Sequence, residues 1–135
     1  QGPMCLEACA RPVTEFPSLP IAADAEGLLR IDWAPLLEYC SDQSRSTAVR
    51  AGAAHAALAD AIGRVAEAER SRSGATVVGL TGGVFQNRLL LESAAARLEQ
   101  GGFRVLMPGR IPCNDGGLSY GQVAEHVGRT AATAP

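Results

Sequence analysis

The sequence predicts an α/β fold, and three observations carry that prediction. Ala75-Thr76-Val77-Val78 is a β-branched apolar run of the kind found in a strand buried on both faces. After Gly82-Gly83, leucines and alanines recur at helical spacing from residue 87 to about residue 100. A second apolar run, Phe103-Arg104-Val105-Leu106-Met107, follows Gly101-Gly102. A strand–helix–strand unit of this length requires a parallel pair with a right-handed crossover.

The remaining elements are read in order. Residues 4–11 predict a short helix stopped by Pro12. Residues 14–20 are punctuated by proline and predict an edge strand or an extended loop. Residues 22–27 read as a turn and 28–32 as a short strand. A helix enters at Asp32-Trp33-Ala34-Pro35, with Asp32 as its cap and Pro35 in its first turn, and continues to Cys40. Trp33, the only tryptophan, is expected to anchor on the core. The alanine-rich stretch 46–70 is the clearest helix, closed by Gly74. Residues 76–80 then give the first strand of the central unit. A closing helix is expected over 118–127, with a frayed tail from Gly128.

Composition narrows the class. A hydrophobic content of 47% with ordinary charge belongs to a globular chain, and 135 residues suit one domain. That domain spans 1–135, with 1–45 as a lead-in helix and strand and 46–135 as the long helix plus the strand–loop–helix unit. No apolar run is of membrane-spanning length and no signal segment opens the sequence, so a cytoplasmic protein is expected. A formal charge of -2 gives no general attraction to nucleic acid or to an anionic membrane, and neither is expected as a partner. All 12 basic residues are arginines. The lack of lysine excludes a phosphate-binding P-loop and lysine Schiff-base chemistry. Cys5, Cys9, Cys40 and Cys113 do not make two closely spaced pairs for zinc and are expected to be buried filler. With His55 and His126 alone, no histidine cluster can form within the chain.

Two glycine-bearing loops remain. Gly82-Gly83 lets the backbone turn sharply and approach a ligand, and the following helix would offer free N–H groups to an anion. Asn114-Asp115-Gly116-Gly117 lies close after the second strand. Ligands of a parallel sheet gather at the carboxyl ends of its strands, so both loops are expected to face one crevice. There Asn87 would offer an amide to ribose or base, and Asp115 a carboxylate to a metal or hydroxyl. Equally, Asn87 supports its own loop and Asp115 caps the last helix; spacing alone leaves both readings open.

Thr81-Gly82-Gly83-Val84-Phe85-Gln86-Asn87-Arg88-Leu89-Leu90-Leu91-Glu92, together with Pro112-Cys113-Asn114-Asp115-Gly116-Gly117-Leu118-Ser119-Tyr120-Gly121-Gln122, resembles the C-terminal end of the HypF family. These are the carbamoyltransferases that mature [NiFe] hydrogenases. The resemblance runs from about Ile31 onward and more weakly through the opening residues. It implies an actin-like (ribonuclease H-like) lobe: a small, mostly parallel sheet flanked by helices, forming the second lobe of a larger carbamoyltransferase domain. It also implies an enzyme that uses carbamoyl phosphate and ATP and passes the carbamoyl group of a carbamoyl adenylate to the C-terminal cysteine of a HypE-type acceptor. Within it, Gly82, Gly83 and Asn87 would contact the adenylate, and Asp115 would be a ligand of a divalent metal, zinc or iron. The family's other metal ligands are an HxxxH pair in the preceding lobe, which this sequence lacks; Ala51 and Ala59 flank His55 at that spacing. The chain alone is therefore expected to be inactive.

Two alternatives stand beside this reading. One is a tRNA threonylcarbamoyladenosine synthase-type subunit, which would share Gly82-Gly83-Val84 and Asn87 but differ in the second loop. The other is a non-catalytic interaction module of the same fold. His55 is read as a hydrogen-bonded helix histidine, Cys113 as a packing residue and His126 as a surface residue. Self-association is expected through a surface that includes the alanine-rich helix.

Overall fold

The structure is a computed structural model and describes residues 2–132. In chain order the elements are α1 (Gly2–Cys9), β1 (Ile21–Ala23), β2 (Leu29–Ile31), α2 (Ala34–Ser41), α3 (Thr47–Ser73), β3 (Val77–Gly79), α4 (Arg88–Gln100), β4 (Arg104–Leu106) and α5 (Leu118–Ala132). Single 3₁₀ turns, Gly83–Gln86 and Asp115–Gly117, lie within the two glycine-bearing loops.

The long helix forms as its sequence dictates. Ser46 Oγ accepts the Val49 N–H at its start, and Gly74, at φ 76°, closes its end by donating to Arg70 O. It runs three residues beyond the expected end at 70, because the Ser71 and Ser73 hydroxyls donate back to the carbonyls of Glu67 and Glu69 and so need no other partner.

β3 and β4 are parallel as expected, with Val77 opposite Arg104 and Gly79 opposite Leu106. Bonds from Arg104 N–H to Thr76 O and from Leu80 N–H to Leu106 O lengthen the pairing at both ends. The expectation of burial on both faces fails. Val78, Val105 and Leu80 pack against α3 and α4, whereas Val77 and Leu106 are 42% and 49% exposed. Both helices therefore cover the same side of this strand pair.

Residues 21–23 pair as β1 with β2 in an antiparallel hairpin, although 22 and 23 were expected within a turn. Asp24 organises its tip: Oδ1 accepts the N–H groups of Glu26 and Leu28, and Oδ2 accepts from Arg30 at 2.7 Å. The "mostly parallel" sheet is thus one parallel pair and one separate antiparallel pair.

The main core joins Ala59 of α3 to Leu90, Ala94, Ala95 and Leu98 of α4, closed by Leu80 and Phe103. A second cluster sets Leu19 on Ala57 and Ala61, with Ile31 and Leu36 against it. The segment 14–20 is loop, held not by strand bonds but by Arg64, whose guanidinium donates to Leu19 O at 2.7 Å. Arg50 reaches Cys40 O in the same way, and Arg70 reaches Gly101 O while lying over the Phe103 ring. Arginine's planar, multi-donor head explains how a chain without lysine ties its connections to its helices.

Several expectations are corrected. Helix α1 ends at Cys9, two residues earlier than expected, and Ala10 N–H turns back to Glu7 O. Trp33, not Asp32, is the N-cap of α2 and is 44% exposed because it sits ahead of the turn that packs; Asp32, one residue earlier, accepts the Ala34 N–H through Oδ1. Cys5 and Cys9 are exposed on α1 rather than buried. The tail from Gly128 continues as helix to Ala132, and residues 133–135 lie outside the described region. The alanine face of α3 is covered within the chain, whereas α5 carries exposed apolar side chains, including Val123 and Val127.

Candidate functional site

The two glycine-bearing loops meet. Gly82 N–H donates to Cys113 O at 2.5 Å, and Thr81 Oγ donates to the same carbonyl at 3.4 Å. Gly82 holds φ 108°, a conformation that L side chains rarely adopt, and a side chain at Gly82 or Gly83 would project into open space. Among the described residues, nothing lies within 4 Å of where a Cβ would sit at either glycine.

A cleft of about 670 Å³ opens beside this turn, lined by Gly83, Gln86 and Asn87 of the loop, His55 and Leu58 of α3, and Glu7 of α1. Its surface is chiefly apolar with a few polar groups, as small-molecule sites commonly are. A smaller cleft of about 410 Å³ lies between Thr81 and the second loop at Asn114 and Gly117.

Asn87 serves two purposes at once. Its Oδ1 caps α4 by accepting the Leu90 N–H at 2.9 Å, so the loop-supporting role is real. Its Nδ2 lies 2.8 Å from His55 Nε2, and His55 Nδ1 lies 2.7 Å from Ala51 O. The side chain is half-buried and still reaches the cleft.

The expected free N–H groups at the start of α4 are already engaged. Leu90 N–H is taken by Asn87, and Leu89 N–H by the Glu7 carboxylate at 3.1 Å. An internal anion thus holds the place foreseen for a phosphate. At the first residue of α4, Arg88 binds Glu92 at 2.6 Å, and this contact holds the guanidinium firmly in its charged form.

Asp115 is exposed and lines neither cleft; Asn114, not Asp115, caps the second 3₁₀ turn, through Gly116 N–H. Among the described residues no three His, Cys, Asp or Glu side chains converge as a metal site requires. This chain's residues therefore do not by themselves fit a metal ion.

Sequence reading missed Glu7, whose contact spans 82 positions and leaves no local signal. The partnership of His55 was partly visible: a histidine amid small apolar residues on one helix face must find a hydrogen-bond partner.

Residues 1–122 match the family described as carbamoyltransferase, Kae1-like domain, second subdomain. The chain belongs to the HypF family. It is 38% identical over 122 residues to carbamoyltransferase HypF of Rhodobacter capsulatus, covering 90% of this chain and 15% of that protein. It is 34% identical over 125 residues to carbamoyltransferase HypF of Synechocystis, covering 91% and 16%. The fold superimposes on full-length HypF in a phosphate- and nucleotide-bound form with a TM-score of 0.81 and 30% identity, over 88% of this chain and 16% of that one. The α/β fold expected from the motifs is thus that of HypF, and the match also takes in the lead-in residues where the motif resemblance was weak. Among the described residues no helix is long and apolar enough to cross a membrane.

Proposed function

We propose that this chain supplies one wall of the nucleotide site of a carbamoyltransferase, with Gly82, Gly83 and Asn87 facing ATP or a carbamoyl adenylate. The observation that carries the reading is the junction of the two motif loops at Gly82 N–H and Cys113 O, beside a cleft that Gly83 and Asn87 line. Exposed glycine backbone admits close approach of a phosphate or ribose, and the Asn87 amide adds a directed polar contact. The nucleotide named for the related full-length structure supports the same assignment.

The chain spans about 15% of the length of the Rhodobacter capsulatus relative, so the whole reaction needs parts this lobe does not contain. In the full reaction, carbamoyl phosphate and ATP would give a carbamoyl adenylate. Its carbamoyl group would then pass to a cysteine of a HypE-type acceptor during [NiFe] hydrogenase maturation. Asp115, exposed within the second loop, would contribute one carboxylate to a divalent ion whose remaining ligands come from another lobe.

The test grafts this chain into the Rhodobacter capsulatus protein in place of the matching 122 residues. ATP-dependent turnover of carbamoyl phosphate, lost on Asn87→Ala, is the expected result. A graft that folds but neither binds ATP by calorimetry nor turns over would instead favour the non-catalytic module.

A further inference from the structure

We propose that His55 is a positioning residue that fixes which end of the Asn87 amide faces the cleft. The inference rests on the reading of that cleft as a nucleotide site.

His55 is 4% exposed, in the N-terminal third of α3, between Ala51, Gly52, Ala53 and Ala54 before it and Ala57 after it, all of them buried. A polar ring in such surroundings must have its nitrogens satisfied. Both ends of its network are backbone groups whose roles cannot change. At one end the Leu90 N–H is a donor, so the atom 2.9 Å away must be the Asn87 oxygen. The amide nitrogen therefore faces His55 Nε2 at 2.8 Å. At the other end the Ala51 carbonyl only accepts, so His55 Nδ1, 2.7 Å away, carries the ring proton. The neutral ring then presents an unprotonated Nε2 to the amide N–H. Donors and acceptors alternate without conflict from Leu90 to Ala51, and reversing the amide would set two donors against each other at Leu90 and two acceptors at His55.

The consequence is chemical selectivity. With Oδ1 held at the helix end by the Leu90 N–H and one amide N–H given to His55, the nitrogen end of the amide keeps its second N–H as a donor for a ligand, and selectivity is set at that end. Asn87 then selects an acceptor atom, such as a ribose, phosphate or ring-nitrogen lone pair, and discriminates against a donor at that point. Neither α4 nor its loop supplies the second restraint; it comes from α3, 32 residues earlier in the chain.

The test has two readouts. In the ¹⁵N-labelled chain, NMR should show a scalar coupling across the hydrogen bond between Asn87 Nδ2 and His55 Nε2, with Nε2 at an unprotonated shift. A folded protein without that coupling overturns the inference. In the grafted Rhodobacter capsulatus enzyme, His55→Phe should raise the KM for ATP about tenfold with kcat changed far less, as loss of one directed hydrogen bond implies. His55→Gln, which can still accept from the amide, should recover most of that loss. If Asn87→Ala weakens ATP binding and a folded His55→Phe does not, positioning by His55 is refuted while the nucleotide site stands. If the graft folds and binds no ATP, the site reading falls and the inference with it. Should His55→Phe not fold, the wild-type coupling and the glutamine variant decide.

Discussion

The carboxylate of Glu7 lies 3.1 Å from the backbone nitrogen of Leu89, joining the first helix to the N-terminus of α4 across 82 residues of chain. It satisfies a helix-end donor and opposes the positive end of the α4 dipole. A ligand phosphate at this helix end would have to compete with it. Glu7→Gln keeps an accepting oxygen and loses only the charge, so stability should fall by about 0.3–1 kcal/mol. Glu7→Ala leaves the donor without its partner and should cost more, about 1–3 kcal/mol. Both variants should bind ATP more tightly than wild type in the grafted enzyme. Urea unfolding and calorimetry check the two halves separately, and weaker nucleotide binding would show that Glu7 supports the site and does not compete with ligand there.

Gly52 is where α3 admits the incoming chain. A Cβ there would meet Arg11 O at 1.9 Å and Val13 Cγ1 at 3.2 Å, while Arg11 N–H bonds to Ala48 O. A backbone carbonyl that close cannot give way as a flexible side-chain tip can. Gly52→Ala should therefore destabilise by about 1–3 kcal/mol, the usual cost of overpacking, despite alanine's better helix propensity. Hydrogen exchange should accelerate first at Arg11, as the segment between α1 and β1 is pushed off α3. Unchanged protection there would mean that the helix shifts instead.

How much of this could be read from the sequence depended on the range of the contacts. The long helix was legible because Ser46, the alanine period and Gly74 all act within one or two turns. The strand–helix–strand unit was legible for the same reason, and its parallel pairing followed from the length of the connection. β1 was missed because its residues alternate too little to mark a strand, and the hairpin is set by Asp24 binding Arg30 and the turn amides. Trp33 misled because aromatic size argues for burial, whereas its place just before the α2 helix leaves it at the surface. Within the site, Asn87 was found by motif, but that it also caps α4 and binds His55 needed coordinates. The Glu7 contact had no signature at all, since neither partner constrains its own neighbours.

The hairpin tip should respond to acid. Asp24 titrates below the ordinary aspartate value of about 3.9, chiefly through its bond to Arg30 and then through the Leu28 N–H. A carboxylate whose folded pKa is depressed adds stability that is present above the unfolded pKa and is lost as pH falls through the folded one. The β1–β2 turn should therefore be intact at neutral pH and loosen below about pH 4. Amide shifts of Glu26 and Leu28 followed between pH 6 and 2 report this directly, and Asp24→Asn should flatten the titration. A transition of the same size in that variant would assign the acid response elsewhere, with Asp42, lowered by its bonds from Ser44, the next group to examine.

Asp115 separates folding from function most cleanly. Its side chain is exposed, and the cap of its own turn is provided by Asn114 through Gly116 N–H. Replacing it should therefore leave the stability of the chain within about 0.5 kcal/mol of wild type, as for surface sites without a special role. If its carboxylate is one of several ligands gathered from two lobes, the same change in the grafted enzyme should lower metal content and carbamoyl transfer together by about 10-fold or more, the effect of losing one group from a shared ligand set. Asp115→Asn removes the charge and keeps the shape, so it should follow Asp115→Ala in metal content and not the wild type. Elemental analysis of the purified graft beside its turnover provides the check. Full metal occupancy and full activity in both variants would remove Asp115 from the site and leave the nucleotide assignment resting on Gly82, Gly83 and Asn87 alone.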